Sequence, residues 1–138
     1  METPSATPPA SRRVCFFASC LVDALLPRVG LATLAVLERQ GLEVDRRPSQ
    51  VCCGQALYKA GHGRQAAEVG AAWVRAFRGA EAVVSPSGSC VAHVRHYLPE
   101  LLSPWPELAV EAIRLAERTF ELSQFLHRVL RVLSLIHI

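Results

Sequence analysis

Four of the five cysteines, Cys20, Cys52, Cys53 and Cys90, fall into the pattern C-x31-CC-x36-C. A thiol in a loop adds little burial, so three distant segments carrying four thiols need a reason beyond packing. Metal binding supplies one, because thiolates are soft ligands suited to zinc or to iron–sulfur clusters. Zinc is usually held by C-x2-4-C knuckles, and no such knuckle occurs among these four cysteines. Adjacent Cys52 and Cys53 have difficulty meeting one small ion. They could reach different irons of a larger cluster, with Gly54 permitting a backbone conformation strained for other residues. The spacing therefore ranks a cluster above zinc. The run Ser85-Pro-Ser-Gly-Ser-Cys90 can turn amides toward sulfur at a helix N-terminus, placing Ser89 beside the ligands together with Gly54.

Other chemistries fit less well. Ser-Gly-Ser-Cys90 near a helix start would lower a thiol pKa, as in a nucleophilic enzyme, but only four residues separate Cys90 from Arg95, one fewer than a phosphatase loop has. No C-x-x-C occurs, against a thioredoxin-like motif, and the serine-rich turn lacks the glycine and lysine of a phosphate-binding loop. Cys15 lies within an apolar run and reads as a small hydrophobe. His62, His96 and His127 have no partner at ligand spacing and read as solvated or capping residues. Asp23 and Gln55 flank the cysteines, with hydrogen bonding to the site and ordinary surface roles both open.

The elements that must position the thiols follow from periodicity. Residues 14–18 form a short apolar run expected as a strand buried on both faces, ending at Ser19 and Cys20. Pro27 can open a helix that Gly41 closes, with Val29, Ala32, Leu34, Ala35, Val36 and Leu37 as its apolar face. Residues 42–45 read as a second strand and 50–63 as a loop. Small or apolar residues at 66, 69, 70, 73, 74 and 77 give helical spacing, 81–84 a third strand, and 91–97, 108–120 and 122 onward further helices. Strand, loop, helix recurs three times. That alternation predicts an α/β fold with a mainly parallel sheet and the thiol-bearing loops at the carboxyl ends of the strands.

Composition fits one packed domain. The 138 residues are 51% hydrophobic and 20% charged, against roughly 25% charged in ordinary soluble domains. Fifteen basic against twelve acidic residues give +3, and the positive charge is scattered arginine with Lys59 as the only lysine, so nucleic acid is not an expected partner. Residues 1–13, rich in Pro, Ser, Thr and Ala, read as a disordered leader, 14–128 as the domain, and 129–138 (VLRVLSLIHI) as an apolar tail that is truncated or non-native. Arg12 and Arg13 before an apolar stretch resemble an export signal, but that stretch ends at Asp23. No segment reaches the roughly 20 apolar residues of a membrane span. An odd cysteine count with an adjacent pair fits reduced thiols and a cytoplasmic protein better than a disulfide framework.

The segments FFASCLVDALLPRVGLATLAVLERQGLEVDRRPSQVCCGQALYKAGH and VVSPSGSCVAHVRH, spanning about residues 16 to 96, resemble the CCG cysteine-rich domain family. Its members include subunits of heterodisulfide reductase and of glycolate oxidase, and the likeness is strongest to its lactate-utilisation members. The resemblance implies a three-layer α/β sandwich with ligand loops at the strand ends. It also implies an iron–sulfur cluster of the 4Fe-4S type on Cys20, Cys52, Cys53 and Cys90, beside Gly54 and Ser89. The implied role is that of an electron-carrying, non-catalytic subunit of an L-lactate oxidation complex, lactate to pyruvate, with the other subunits as partners. Such proteins have two related halves, and this sequence looks like the first. A glycolate oxidase or heterodisulfide reductase type subunit is the alternative within the family. A structural zinc or thiol interaction module is the alternative of another class. Many family members carry a fifth cysteine where this chain has His93; lactate-type members lack it too, and His93 is read as a neighbour of the site rather than a ligand.

Overall fold

A computed structural model of the chain describes residues 12–134. Four strands, β1 (Arg13–Phe16), β2 (Glu43–Asp45), β3 (Val83–Ser85) and β4 (Thr119–Glu121), form one sheet in the order β2-β1-β3-β4. Every pairing is parallel: Val14 faces Val44, Phe16 faces Val84, and Val84 faces Phe120. Parallel neighbours need crossover connections, and helices supply them: α1 (Cys20–Leu25), α2 (Pro27–Arg39), α3 (Gln55–Lys59), α4 (Gly63–Phe77), α5 (Gly88–His96), α6 (Leu98–Leu101) and α7 (Pro106–Glu117). After β4 come the single turn α8 (Leu122–Gln124) and a π-helical turn over Phe125–Val129. Because β2 and β3 lie on opposite sides of β1, the connections leaving β1 and β3 diverge, which opens a crevice at their carboxyl ends.

Side chains alternate across the strands, and each face has its own apolar cluster. Cys15, Phe17 and Val83 pack with Trp73, Val74, Phe77, Val94, Leu98 and Leu115, mostly from α4 to α7. Val14, Ala82, Val84 and Phe120 pack with Leu37 of α2 and with Phe125 and Val129. Trp73 sits between the rings of Phe17 (5.6 Å, edge-on) and Phe77 (4.7 Å).

The helix over 27–39 and the Gly41 stop agree with the sequence reading, Gly41 having φ +75°. The buried face differs: Gly30, Thr33, Leu34 and Leu37 point inward, whereas Val29, Ala32 and Ala35 are exposed. Cys20 opens a helix instead of closing a strand, because Ser19 caps it by accepting the Val22 N–H on its hydroxyl. The expected 50–63 loop contains α3. The expected helix over 108–120 stops at 117. There Thr119 Oγ1 donates to the Leu115 carbonyl at 2.6 Å, and the Val83 N–H donates to the Arg118 carbonyl at 2.8 Å, so pairing with β3 wins the next three residues for β4. Of the expected leader, Arg12 and Arg13 are described, and Arg13, in β1, pairs with Glu43 of β2. Of the expected tail, Val129 is buried in the second cluster. Residues 1–11 and 135–138 lie outside the described residues.

Trp73 is fully buried where three elements meet, so Trp73→Ala is expected to lower unfolding free energy by about 3–5 kcal/mol. Urea denaturation followed by far-ultraviolet circular dichroism checks this.

Candidate metal centre

Three strands are each followed in sequence by a thiol-bearing segment. Cys20 is the first residue of α1, shortly after β1; Cys52 and Cys53 lie at the end of the segment between β2 and α3; Cys90 lies in the first turn of α5, after β3. The fifth cysteine is elsewhere: Cys15 is buried in β1, with its Sγ 3.7 Å from Asp45 Oδ2, and burial pushes its thiol up.

Two of the four thiols are in direct contact. Cys20 and Cys52 are hydrogen-bonded with their sulfurs 3.6 Å apart, at the solvent-facing edge of the site, where Cys20 is exposed and Cys52 half-buried. Cys53 and Cys90 are both buried, and each shifts the other's acidity. The pairs also feel each other, since Cys52 raises Cys53 and Cys90 raises Cys20 through charge repulsion. Among the described residues, no three or more of His, Cys, Asp and Glu close around a point fit for a single ion.

Backbone amides aim at the sulfurs. The Gly54 N–H donates to Cys52 Sγ at 3.4 Å, the Leu21 backbone favours the Cys20 thiolate, and the Gln55 backbone favours that of Cys53. Gly54 allows this wrapping because it adopts φ +87°, and a Cβ there would lie 3.0 Å from the Ala66 carbonyl oxygen. Such convergent N–H groups form a concave anion site. Three hydroxyls add to it at the inner pair, because Ser87, Ser89 and buried Ser19 each act on Cys90.

These donors split the inner pair's acidity. The Cys53 thiol, opposed by burial and aided by the three serines, lowers Cys90 to about 6. Cys90 in turn, followed by burial, drives Cys53 strongly up. The two thiols are pushed in opposite directions and titrate as a coupled pair. Cys20 is also raised, by burial and then by Cys52.

Cys20 and Cys52 come into contact, Cys53 and Cys90 shift each other's acidity, the Gly54 N–H reaches Cys52, and the Ser89 hydroxyl supports Cys90 while its carbonyl accepts from Gln55 Nε2 at 3.1 Å. His93 is buried beneath the Cys53 segment against Tyr58 (5.4 Å) and Tyr97 (6.0 Å). Its ring nitrogens have no hydrogen-bond partner of normal geometry, and burial keeps it below the ordinary imidazole range. Sequence reasoning missed Ser19 and Gln50. The signal for Ser19 was a small polar residue just before a helix, the usual N-cap. Gln50 carried no local signal.

The match to known proteins agrees with this geometry. The family model for the CCG cysteine-rich domain aligns with residues 14–95, which include all four site cysteines and the segments between them. The chain belongs to the CCG cysteine-rich domain family. CCG relatives include lactate utilization protein A of Geobacillus thermodenitrificans, 46% identical over 120 residues. Those of Geobacillus kaustophilus and Bacillus pumilus are 45% and 43% identical over the same length. Each alignment covers 87% of this chain and 50% of the relative, so this CCG chain spans about half the length of the curated relatives it matches. No solved structure matches it.

In the metal-free chain, ultraviolet thiolate absorbance should show one group with its midpoint at about 6. Cys53→Ala removes the neighbouring thiol and should move that midpoint up toward the ordinary thiol value of about 8.5. Since Cys90 ionises more easily folded than unfolded, its contribution to stability is complete above the ordinary thiol pKa and fades as pH falls through about 6. Cys53, raised, contributes in the opposite sense, losing its part as pH climbs through its folded value.

Proposed function

We propose that Cys20, Cys52, Cys53 and Cys90 hold an iron–sulfur cluster, of the 4Fe-4S type, and that the chain is an electron-carrying, non-catalytic part of an L-lactate oxidation complex. The observation that supports this reading is the contact of Cys20 with Cys52 from two separate segments, with the Gly54 N–H on Cys52 and three serines acting on Cys90. The donor set suits the group: soft sulfur ligands for iron and amides that stabilise sulfur charge, both of which tune a cluster's potential. The thiol-bearing segments then serve as ligand loops at the carboxyl ends of the strands, with helices as the outer layers of a three-layer sandwich.

When bound, such a cluster supplies one-electron transfer, which the side chains around the site do not offer by themselves. The chain's own part is to orient four sulfurs, to keep the inner pair out of water, and to balance negative charge with N–H and O–H donors. Oxidising lactate to pyruvate releases two electrons and two protons, and in this reading the chain passes electrons while the substrate is held elsewhere in the complex. The name of the relatives, lactate utilization protein A, favours lactate over the glycolate oxidase and heterodisulfide reductase alternatives. The partners are the other subunits of that complex, in the cytoplasm. Among the described residues, no helix is long and apolar enough to cross a membrane.

Anaerobic incubation with ferrous iron and sulfide should give broad visible absorption. Cys52→Ser and Cys53→Ser should each remove more than about half of it, while Cys15→Ser leaves it intact, as expected if only the clustered thiols are ligands. Absorption indifferent to Cys52 and Cys53, or a colourless chain holding zinc tightly, would overturn the proposal in favour of a structural zinc or thiol module.

A further inference from the structure

We propose that Gln50 is a positioning residue that holds the Cys20 and Cys52 thiols together. Its side chain lies across the seam between the two segments that carry them. Gln50 Oε1 accepts the Ala18 N–H at 2.8 Å, and Gln50 Nε2 donates to the Phe16 carbonyl at 3.3 Å and the Arg47 carbonyl at 3.1 Å. Ala18 is two residues before Cys20, and Gln50 is two residues before Cys52. Among the described residues, no backbone–backbone hydrogen bond joins residues 17–20 to residues 46–54. Apart from the thiol contact, the Gln50 amide is thus the polar link across this seam.

The physical reason is reach combined with chemistry. A primary amide both donates and accepts, so one side chain can satisfy an N–H and a carbonyl of the β1–α1 segment while tethered to its own turn at Arg47. Both backbone groups lie past the end of the β1–β2 ladder, where no strand partner meets them. Without the amide, each segment keeps its strand anchor but loses the register between its last residues, and the sulfur separation is free to widen. The inner pair has a separate tie, Gln55 Nε2 to the Ser89 carbonyl, so the two seams should respond independently.

This inference deepens the ligand assignment proposed above, yet it is testable without metal. The full metal-free chain is equilibrated with reduced and oxidised glutathione. One glutathione disulfide oxidises Cys20 and Cys52 to a protein disulfide and leaves as two reduced glutathiones; the linked peptide is quantified by mass spectrometry. Gln50→Ala should lower the equilibrium constant for this pairing about tenfold, the weight of one to two hydrogen bonds. Gln50→Glu keeps the acceptor for Ala18 and should recover at least about threefold of that loss, while Gln55→Ala should stay within about twofold of the unsubstituted chain. Thermal unfolding of all three variants confirms that they are folded at the temperature used. The proposal is overturned if Cys20 and Cys52 do not pair in the unsubstituted chain. It is also overturned if Gln50→Ala pairs as readily as that chain, if Gln50→Glu behaves like Gln50→Ala, or if Gln55→Ala falls as far. Failure to take up iron and sulfide would instead count against the electron-carrier reading and leave this result standing.

Discussion

Thiolates repel, and a site that gathers four of them must either keep protons between them or place a cation among them. Two unit charges 3.6 Å apart repel by about 1 kcal/mol in water and by about 5 kcal/mol at an effective dielectric near 20. The structure answers that constraint with donors. Cys20 and Cys52 share a hydrogen bond, the Gly54 N–H reaches Cys52, and serine hydroxyls favour the Cys90 thiolate. Soft cationic iron would satisfy the same sulfurs by replacing the shared protons, since metal ligation requires deprotonated thiols.

The fold matters because it places these donors without crowding the core. Strand order β2-β1-β3-β4 brings the segments after β1 and β3 side by side, and the β2–α3 segment arrives from the flank. The inner thiols are part of the apolar cluster on one face of the sheet, so their setting is dry and rigid. The outer pair lies nearer solvent, with half-exposed Leu21 and partly exposed Val51 next to Cys20 and Cys52 in sequence. One end of the site is thus insulated and the other accessible to solvent.

Much of this was legible in the sequence, for identifiable reasons. Short apolar runs and strong helical periodicity located β1 and α4, because burial on both faces or on one stripe leaves a clear trace. The thiol pattern singled out Cys20 and Cys52, whose sulfurs lie 3.6 Å apart, because such spacing has little other purpose. Two kinds of feature were hidden. β4 is only three residues long and inherits the apolar rhythm of α7, and only pairing with β3 distinguishes Thr119–Glu121 from another helical turn. Gln50 was hidden because its role lies in contacts with residues 32 and 34 positions away, which no local pattern encodes.

The most direct test of the central claim is to ask which sulfurs a soft cation meets. Metal-free chain loaded with NMR-active cadmium should show scalar coupling from the metal to the β-protons of Cys20, Cys52, Cys53 and Cys90, and none to those of Cys15. Coupling that includes Cys15, or that reaches only one of the two pairs at saturating cadmium, would contradict the account of a single four-thiol centre.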